Sequence, residues 1–283
     1  MALGRILRHN RNVPVGMAVL IIVTLVAVLA SWLAPHDPLE QDLPARLQPP
    51  AWTAEGDRRY LLGSDDLGRD ILSRIIFGAR ISLVVGLGVI ALSGTIGVTL
   101  GLVAGFRGGW ADTVVMRLAD AQQALPGILL AIIITATVGA RLSNVVLVLA
   151  FTSWPVFARI VYSAVRSLKE REFVQASVAA GASVSRILLR HVLPNVAATI
   201  IVIAALQMGR TILAEASLSF LGLGVPPPAP SWGGMVSEGR HRLLVAPWTT
   251  TYPGLAILVT VWGINLLGDG LRQALDPRLR HLR

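Results

Sequence analysis

The sequence predicts an all-α integral membrane protein with about six transmembrane helices and a polar helical segment between spans four and five. Two observations lead to this prediction: the composition suits a chain solvated by lipid, and the apolar residues gather into long stretches. Of the 283 residues, 54% are hydrophobic and only 14% are charged, and the mean hydropathy is +0.66. A soluble domain needs more charge to cover its surface, because its helices are apolar along one stripe only.

Six apolar stretches are long enough to cross about 30 Å of hydrocarbon as helices rising about 1.5 Å per residue. A helix is the expected conformation because lipid offers no partner to unpaired backbone groups. The stretches are residues 13–33, 81–105, 112–138, 144–162, 195–217 and 252–271. The last five form a predicted core, residues 74–271.

The first stretch, residues 13–33, follows a short basic segment and is either a signal peptide or a membrane anchor. Its length approaches the ~20 residues of a spanning helix rather than the ~7–15 of a signal peptide. No cleavage site of the small-x-small type follows it, so we expect an anchor. Residues 34–73 are rich in proline and acidic side chains, which predicts a partly extended loop on the outer face.

The distribution of lysine and arginine predicts the orientation. With six spans, the segments on the side of both termini hold thirteen of these residues, and the opposite segments hold eight. Because Lys and Arg are enriched in cytoplasmic loops, residues 1–12 and 272–283 are expected in the cytoplasm of a multi-pass membrane protein. The formal charge of +9 flanks the spans and forms no stripe interleaved with aromatics, which argues against nucleic-acid binding.

Several kinds of chemistry are excluded by the residues present. The chain has no cysteine, and its five histidines lie far apart, so neither a thiolate nucleophile nor a paired-histidine metal site is expected. The single lysine, Lys169, does not follow a glycine-rich phosphate loop. We therefore expect no catalytic residue, no metal site and no bound cofactor. If the protein uses ATP, then ATP and Mg²⁺ bind to another chain.

Residues 163–194 form a polar segment between spans four and five that is dense in helix-forming residues. Phe173, Val174 and Val178 make a short apolar patch among charged neighbours. Gly181 is expected to break or turn the helix, and Pro194 to end its second half. Such an amphipathic helix could dock in a groove of a partner or lie flat on lipid head groups, and the residues alone do not separate these readings.

This segment resembles the EAA loop of bacterial ABC importer permeases, which reads Glu-Ala-Ala, three residues, Gly, nine residues, Ile, one residue, Leu-Pro. Three positions depart from it: Gln175 replaces the glutamate, Ser177 the second alanine, and His191 the isoleucine. Residues 61–83, 116–132, 215–235 and 253–280 are similar to one branch of that family, the dipeptide/oligopeptide/nickel permeases, and specifically to its C-type subunit. The resemblance covers residues 14–280.

The resemblance implies a multi-pass permease subunit of the bacterial cytoplasmic (inner) membrane that forms half of a translocation path and has no enzymatic activity. Its implied partners are a second related permease, two cytoplasmic ATPase subunits that bind ATP and Mg²⁺, and a binding protein on the outer face. The EAA loop would be the coupling helix that docks on an ATPase, which favours partner docking over the lipid reading. Phe173 and Val174 would be its apolar anchors. The implied coupling residues are Glu172, Phe173, Val174, Gln175, Ala176, Ser177, Gly181, Leu193 and Pro194.

The substrate stays open at this point. Members of the family handle peptides, glutathione, nickel or nickel chelates, and peptide is the default by family frequency. The rival classes are a self-sufficient secondary transporter or channel, which should show inverted repeats, and a membrane enzyme, for which no convergent catalytic constellation exists in the sequence.

A few polar residues fall inside predicted spans, where an ionisable group costs roughly 2.5–3.5 kcal/mol and usually faces protein or a wet path. Arg117 precedes Asp120 by three residues, so the two could pair on one helix. These groups either line the translocation path or form ion pairs that set helix register. The candidate path residues are Asp120, Gln123, Arg210 and Glu215. Gly97, Gly101 and Gly105, at spacing four, predict close helix packing instead.

Overall fold

The computed structural model describes residues 12–275, and within them every regular element is helical. The predicted cytoplasmic ends fall largely at residues 1–11 and 276–283, outside the described residues, so their orientation stays a prediction. The helices are α1 Asn12–Val28, α2 Ala30–Leu33, α3 Ile71–Arg107, α4 Gly109–Gln123, α5 Gly127–Val138, α6 Leu142–Lys169, α7 Glu172–Ala179, α8 Val184–Phe220, α9 Trp232–Gly239 and α10 Trp248–Leu275.

The lengths and apolar composition of these helices confirm the all-α membrane fold. Four of them, α3, α6, α8 and α10, are each long and apolar enough to cross a membrane. The bent pair α4 and α5 counts as a fifth if its two helices together form one span, and the apolar helix α1 has 17 residues, about 26 Å at about 1.5 Å per residue. We call the end of the bundle that carries residues 34–70 and α9 the outer end, and the end that carries α7 the inner end.

Glycines bring neighbouring spans into backbone contact. A Cβ added at Gly97 would lie 2.5 Å from the carbonyl oxygen of Trp154, and one added at Gly101 would lie 2.6 Å from that of Ala158. Both distances are shorter than any side chain tolerates, so only glycine lets α3 pack this closely on α6. The packing interpretation of these glycines is therefore confirmed.

The third predicted span, residues 112–138, is wrong as one helix. The structure breaks it into α4 and α5, whose axes differ by 85°. The break lies at Pro126, which has no N–H to donate and whose ring disfavours helical backbone at Leu125. Helix α4 therefore ends at Gln123, and α5 starts again at Gly127.

The expectation that Pro194 ends a helix is also wrong, because α8 runs through it from Val184 to Phe220. Residues 188–192 form a single wide turn of π-helix immediately before the proline. An ordinary turn would press the proline ring against the carbonyl group of Arg190, and the wide turn avoids this contact. The coupling segment and the fifth span are thereby joined by one continuous helix.

The outer end is closed by residues 34–70 and by α9. Asp70 caps α3 by accepting a hydrogen bond from the backbone N–H of Ser73, at 2.8 Å, so the loop ends just before Ile71. The indole N–H of Trp232, on α9, donates to the carbonyl oxygen of Ile75, at 2.9 Å, and fixes α9 to α3. Residues 34–70 and α9 are therefore part of the folded core.

Candidate coupling helix and translocation surface

Helix α7 has a defined start and a defined end. Glu172 occupies its first turn, where a carboxylate interacts favourably with the positive end of the helix dipole. At its other end Gly181 has φ +76°, the backbone N–H of Gly181 donates to the carbonyl oxygen of Val178, and that of Ala182 donates to that of Ser177. These two bonds form a Schellman cap, which requires the left-handed backbone that glycine adopts at least cost.

The two predicted apolar anchors differ in burial. Val174 is fully buried in a cluster that also includes residues of α3, α6 and α8, and so it cannot contact a partner chain. Phe173 is 43% exposed. The prediction that both side chains anchor a partner is therefore corrected: Val174 anchors α7 to its own chain, and Phe173 faces outward.

The outward surface of α7 carries the ring of Phe173 and the side chain of Val178, which is 54% exposed, among polar and small side chains. Gln175 and Ala176 are exposed beside Phe173. Ser177 is half-buried and donates its hydroxyl to the carbonyl oxygen of Phe173, at 2.8 Å. A surface of this shape suits a cleft, because small side chains let the helix backbone approach a partner closely. The two residues that complete the EAA pattern, Leu193 and Pro194, lie farther along the chain, on α8.

Asp120 does not pair with Arg117, as the sequence suggested, but with Arg159 on α6. The bond joins Arg159 Nη2 to Asp120 Oδ1. Both side chains are about half exposed, 46% for Arg159 and 54% for Asp120. Arg159 was not among the residues predicted for the path, although a lone arginine inside a predicted span is a signal that could have identified it.

Two further contacts hold α4 against α6 on either side of this ion pair. Toward the outer end, Gln122 donates to the carbonyl oxygen of Phe151, at 2.7 Å, and accepts from the indole N–H of Trp154, at 2.9 Å. Toward the inner end, the hydroxyl of Tyr162 donates to Asp112, at 2.9 Å. The ion pair thus stands on a helix pair that other contacts already hold in register.

The other candidate path residues are dispersed. Gln123 is exposed at the end of α4, and Arg210 is exposed on α8, where it donates to Gln207 at 3.3 Å. Glu215 is only 1% exposed and accepts from the hydroxyl of Ser219, at 2.7 Å. A carboxylate enclosed in this way cannot touch a solute passing along the surface of the chain, so we reassign Glu215 to packing.

A cluster of charges, buried except at Glu238, joins three parts of the outer end. Arg69 donates to Asp65 at 2.7 Å and to Glu238 on α9 at 2.8 Å. Arg74 on α3 contacts the same two carboxylates, with 2.9 Å to Glu238. The cluster adjoins a cavity of about 330 Å³. Because each charge has an opposite partner, the cluster ties the loop to α3 and α9.

A second group of ion pairs lies at the rim of the cavity. Asp66 accepts from Arg46 and from Arg242, each at 3.0 Å. Burial acts to raise the pKa of Asp66, but the hydrogen bonds from both arginines outweigh it and hold the pKa below its ordinary value. Across residues 12–275, no group of three or more His, Cys, Asp or Glu side chains could hold a metal ion.

Comparisons with known proteins agree over nearly the whole chain. Residues 97–281 match the family described as the inner membrane component of binding-protein-dependent transport systems, and residues 3–50 match the N-terminal transmembrane domain of oligopeptide transport permease C. The chain is 44% identical to a dipeptide transport permease of Haemophilus influenzae, covering 96% of this chain and 92% of that one. It is 45% identical to a di/tripeptide permease of Pseudomonas aeruginosa, covering 96% and 90%. A glutathione permease of Pectobacterium atrosepticum is 43% identical, covering 98% and 90%.

Proposed function

Since the chain belongs to the family of inner membrane components of binding-protein-dependent transport systems, and is thus the permease component of an ABC importer, we propose that it couples to a cytoplasmic ATPase through α7. It performs no chemical reaction itself. ATP and Mg²⁺ bind to two ATPase subunits, a second related permease completes the path, and a binding protein delivers the solute at the outer end. Both termini and α7 face the cytoplasm.

The observation that carries this proposal is the contrast in burial between Phe173, which is 43% exposed, and Val174, which is fully buried. Phe173 is available to a partner, while Val174 packs among residues of three spans, including Phe106 of α3, Val165 of α6 and Ile187 of α8. A displacement of α7 by the ATPase would therefore be transmitted into α3, α6 and α8 together, because close-packed interiors pass on strain.

The path is assigned to the polar face of α4 and α6, with Asp120, Gln123 and Arg159 as its residues and Arg210 on α8 as a further candidate. A charged side chain facing lipid costs roughly 2.5–3.5 kcal/mol, and a wet path between two permeases removes most of that cost. The exposed Asp120–Arg159 pair therefore marks the side of the chain that faces the second permease.

Short peptides are the proposed substrate, because the relatives named above transport dipeptides, tripeptides or glutathione. Glutathione, nickel and metal chelates are the alternatives within the same family. Uptake assays with the chain's own binding protein separate them.

The test uses the natural absence of cysteine, which makes each introduced cysteine unique in this chain. Ala176→Cys places a thiol on the outward face of α7, and Leu244→Cys places one at the outer end, where Leu244 is 99% exposed. Membranes from the native host are treated with a short bifunctional cross-linker, and the products are identified by mass spectrometry. We expect Ala176→Cys to trap an ATPase subunit and Leu244→Cys not to do so.

Purification in mild detergent completes the test. We expect the tagged chain to carry one related permease and two ATPase subunits. A chain that purifies alone, and whose Ala176→Cys variant traps no ATPase, would contradict the proposal and favour a secondary transporter or channel.

A further inference from the structure

The Asp120–Arg159 pair lies about 15 Å along its two helices from the inner end of the bundle. Asp120 is eleven residues beyond the start of α4 at Gly109, or about 16 Å along the helix at about 1.5 Å per residue. Arg159 is ten residues before the end of α6 at Lys169, or about 15 Å. The hydrocarbon core is about 30 Å thick, so with these helix ends at the inner membrane surface both charges are expected near its centre.

The exposure of this pair is not explained by a role in helix packing. Gln122 already bonds to Trp154 and to the backbone of α6 on one side of the pair, and Tyr162 bonds to Asp112 on the other. A pair needed only for register would gain strength by being enclosed, because water weakens a charge interaction. Instead about half of each side chain remains open.

The pair also has unused bonding capacity. A guanidinium carries five N–H donors, and Arg159 uses Nη2 for its bond to Asp120 and donates to no other residue within 12–275. Asp120 likewise accepts a side-chain bond from Arg159 alone among the described residues. The remaining donors of Arg159 form the fork that binds a carboxylate with two hydrogen bonds, and the remaining Asp120 oxygen can accept from an ammonium group.

A zwitterion matches this arrangement. An extended dipeptide separates its ammonium and carboxylate groups by about 7 Å, at about 3.3–3.6 Å per residue, so its two ends can reach the two side chains on either side of their contact. Such a solute exchanges one ion pair for two and leaves no charge unpaired at mid-membrane. A solute with one net charge would leave either Asp120 or Arg159 without a partner, which is costly away from bulk water.

We propose that Asp120 and Arg159 form a contact site in the path for the two charged ends of a zwitterionic short peptide, with Arg159 taking the carboxylate and Asp120 the ammonium group. This rests on the proposed function and specifies its substrate class. The site lies in the permease, and so it acts on the solute after the binding protein has released it.

The experiment uses the complete importer, purified with its partner chains and reconstituted in vesicles with saturating loaded binding protein. The probe is radiolabelled dialanine, and the readout is the number of peptides taken up per ATP hydrolysed. The double variant Asp120→Asn with Arg159→Gln removes both charges but keeps groups that can hydrogen-bond between α4 and α6. Arg141→Gln, which removes an exposed positive charge at the outer end of α6, is the matched control.

We expect the double variant to lower uptake per ATP about tenfold while ATPase stimulation and assembly stay at the wild-type level, and the control to match wild type. Wild-type uptake by the double variant would show that the pair only holds helices together. If the double variant does not assemble, Arg159→Lys is tested instead, because lysine keeps the ion pair but lacks the two-pronged donor group of arginine. We expect at least threefold lower uptake per ATP in this variant. Unchanged uptake would contradict the proposed site. Failure of the proposed function itself would be seen separately, as wild-type protein without ATP-dependent uptake.

Discussion

Replacing two adjacent residues of α7 should separate the binding of the ATPase from the transmission of its movement. Val174→Ala removes two buried carbon groups, worth about 0.8 kcal/mol each, and the residual cavity brings the cost to about 2 kcal/mol. Because Val174 is fully enclosed by the chain's own spans, this loss weakens the attachment of α7 to the bundle. Phe173→Ala acts on the other side of the helix, where the ring is 43% exposed and available to a partner.

The two variants are measured by three assays on the purified importer. Hydrogen exchange reports local opening of α7, and we expect about 30-fold faster exchange in Val174→Ala, since about 1.4 kcal/mol corresponds to tenfold. We expect that variant to retain its ATPase subunits but to take up fewer peptides per ATP. Phe173→Ala should leave exchange in the free chain nearly unchanged and weaken ATPase binding at least 30-fold, as expected for an aromatic anchor worth about 2 kcal/mol or more. Loss of the ATPase from Val174→Ala but not from Phe173→Ala would refute the assignment of the two faces.

Three further predictions concern the outer end and the helix packing. Asp65→Asn leaves two buried arginines short of a charge partner. We expect it to lower the free energy of unfolding by about 3 kcal/mol, measured as a fall in melting temperature. Glu40→Gln in the same loop is the control and should have no effect. Gly101→Leu places a side chain where even a Cβ would lie 2.6 Å from a backbone oxygen of α6, so we expect loss of folded protein on size-exclusion chromatography. The control is Gly127→Ala, which should fold normally because nothing lies within 4 Å of its added Cβ. Because the pKa of Asp66 is lowered in the folded chain, its ion pairs stabilise the fold fully above about pH 4, the ordinary aspartate value, and this stabilisation is lost as the pH falls through the lower folded value. Protease cleavage of residues 34–70 should therefore rise at pH 3 in wild type. The same pH profile in Asp66→Asn would contradict this origin.

The positions of the spans could be predicted because their signals are local. An apolar run of sufficient length identifies a spanning helix wherever its neighbours lie, and the spacing from Gln175 to Pro194 identified the segment around α7. The two errors in the predicted helix boundaries concerned prolines. Pro126 breaks the third span, whereas Pro194 lies inside a continuous helix, because a single wide turn accommodates the second and nothing accommodates the first.

The candidate path was predicted only in part. Asp120 was identified because a charge in an apolar run is rare, but its partner Arg159 lies 39 residues away on another helix. Glu215 carried the same signal and is enclosed within the chain. The sequence shows that a charge lies within a span, and it does not show which side of the helix faces the bundle.

The amino-acid sequence by itself determined that this protein is a helical membrane permease, with its spans and its family, since these depend on run length, composition and motif spacing along the chain. Only the tertiary structure decided that Val174 faces inward and Phe173 outward, that Asp120 pairs with Arg159, and that the outer loop is held by buried charges. The physical reason is that the direction of a side chain depends on which helices surround it, and those neighbours come from distant parts of the chain.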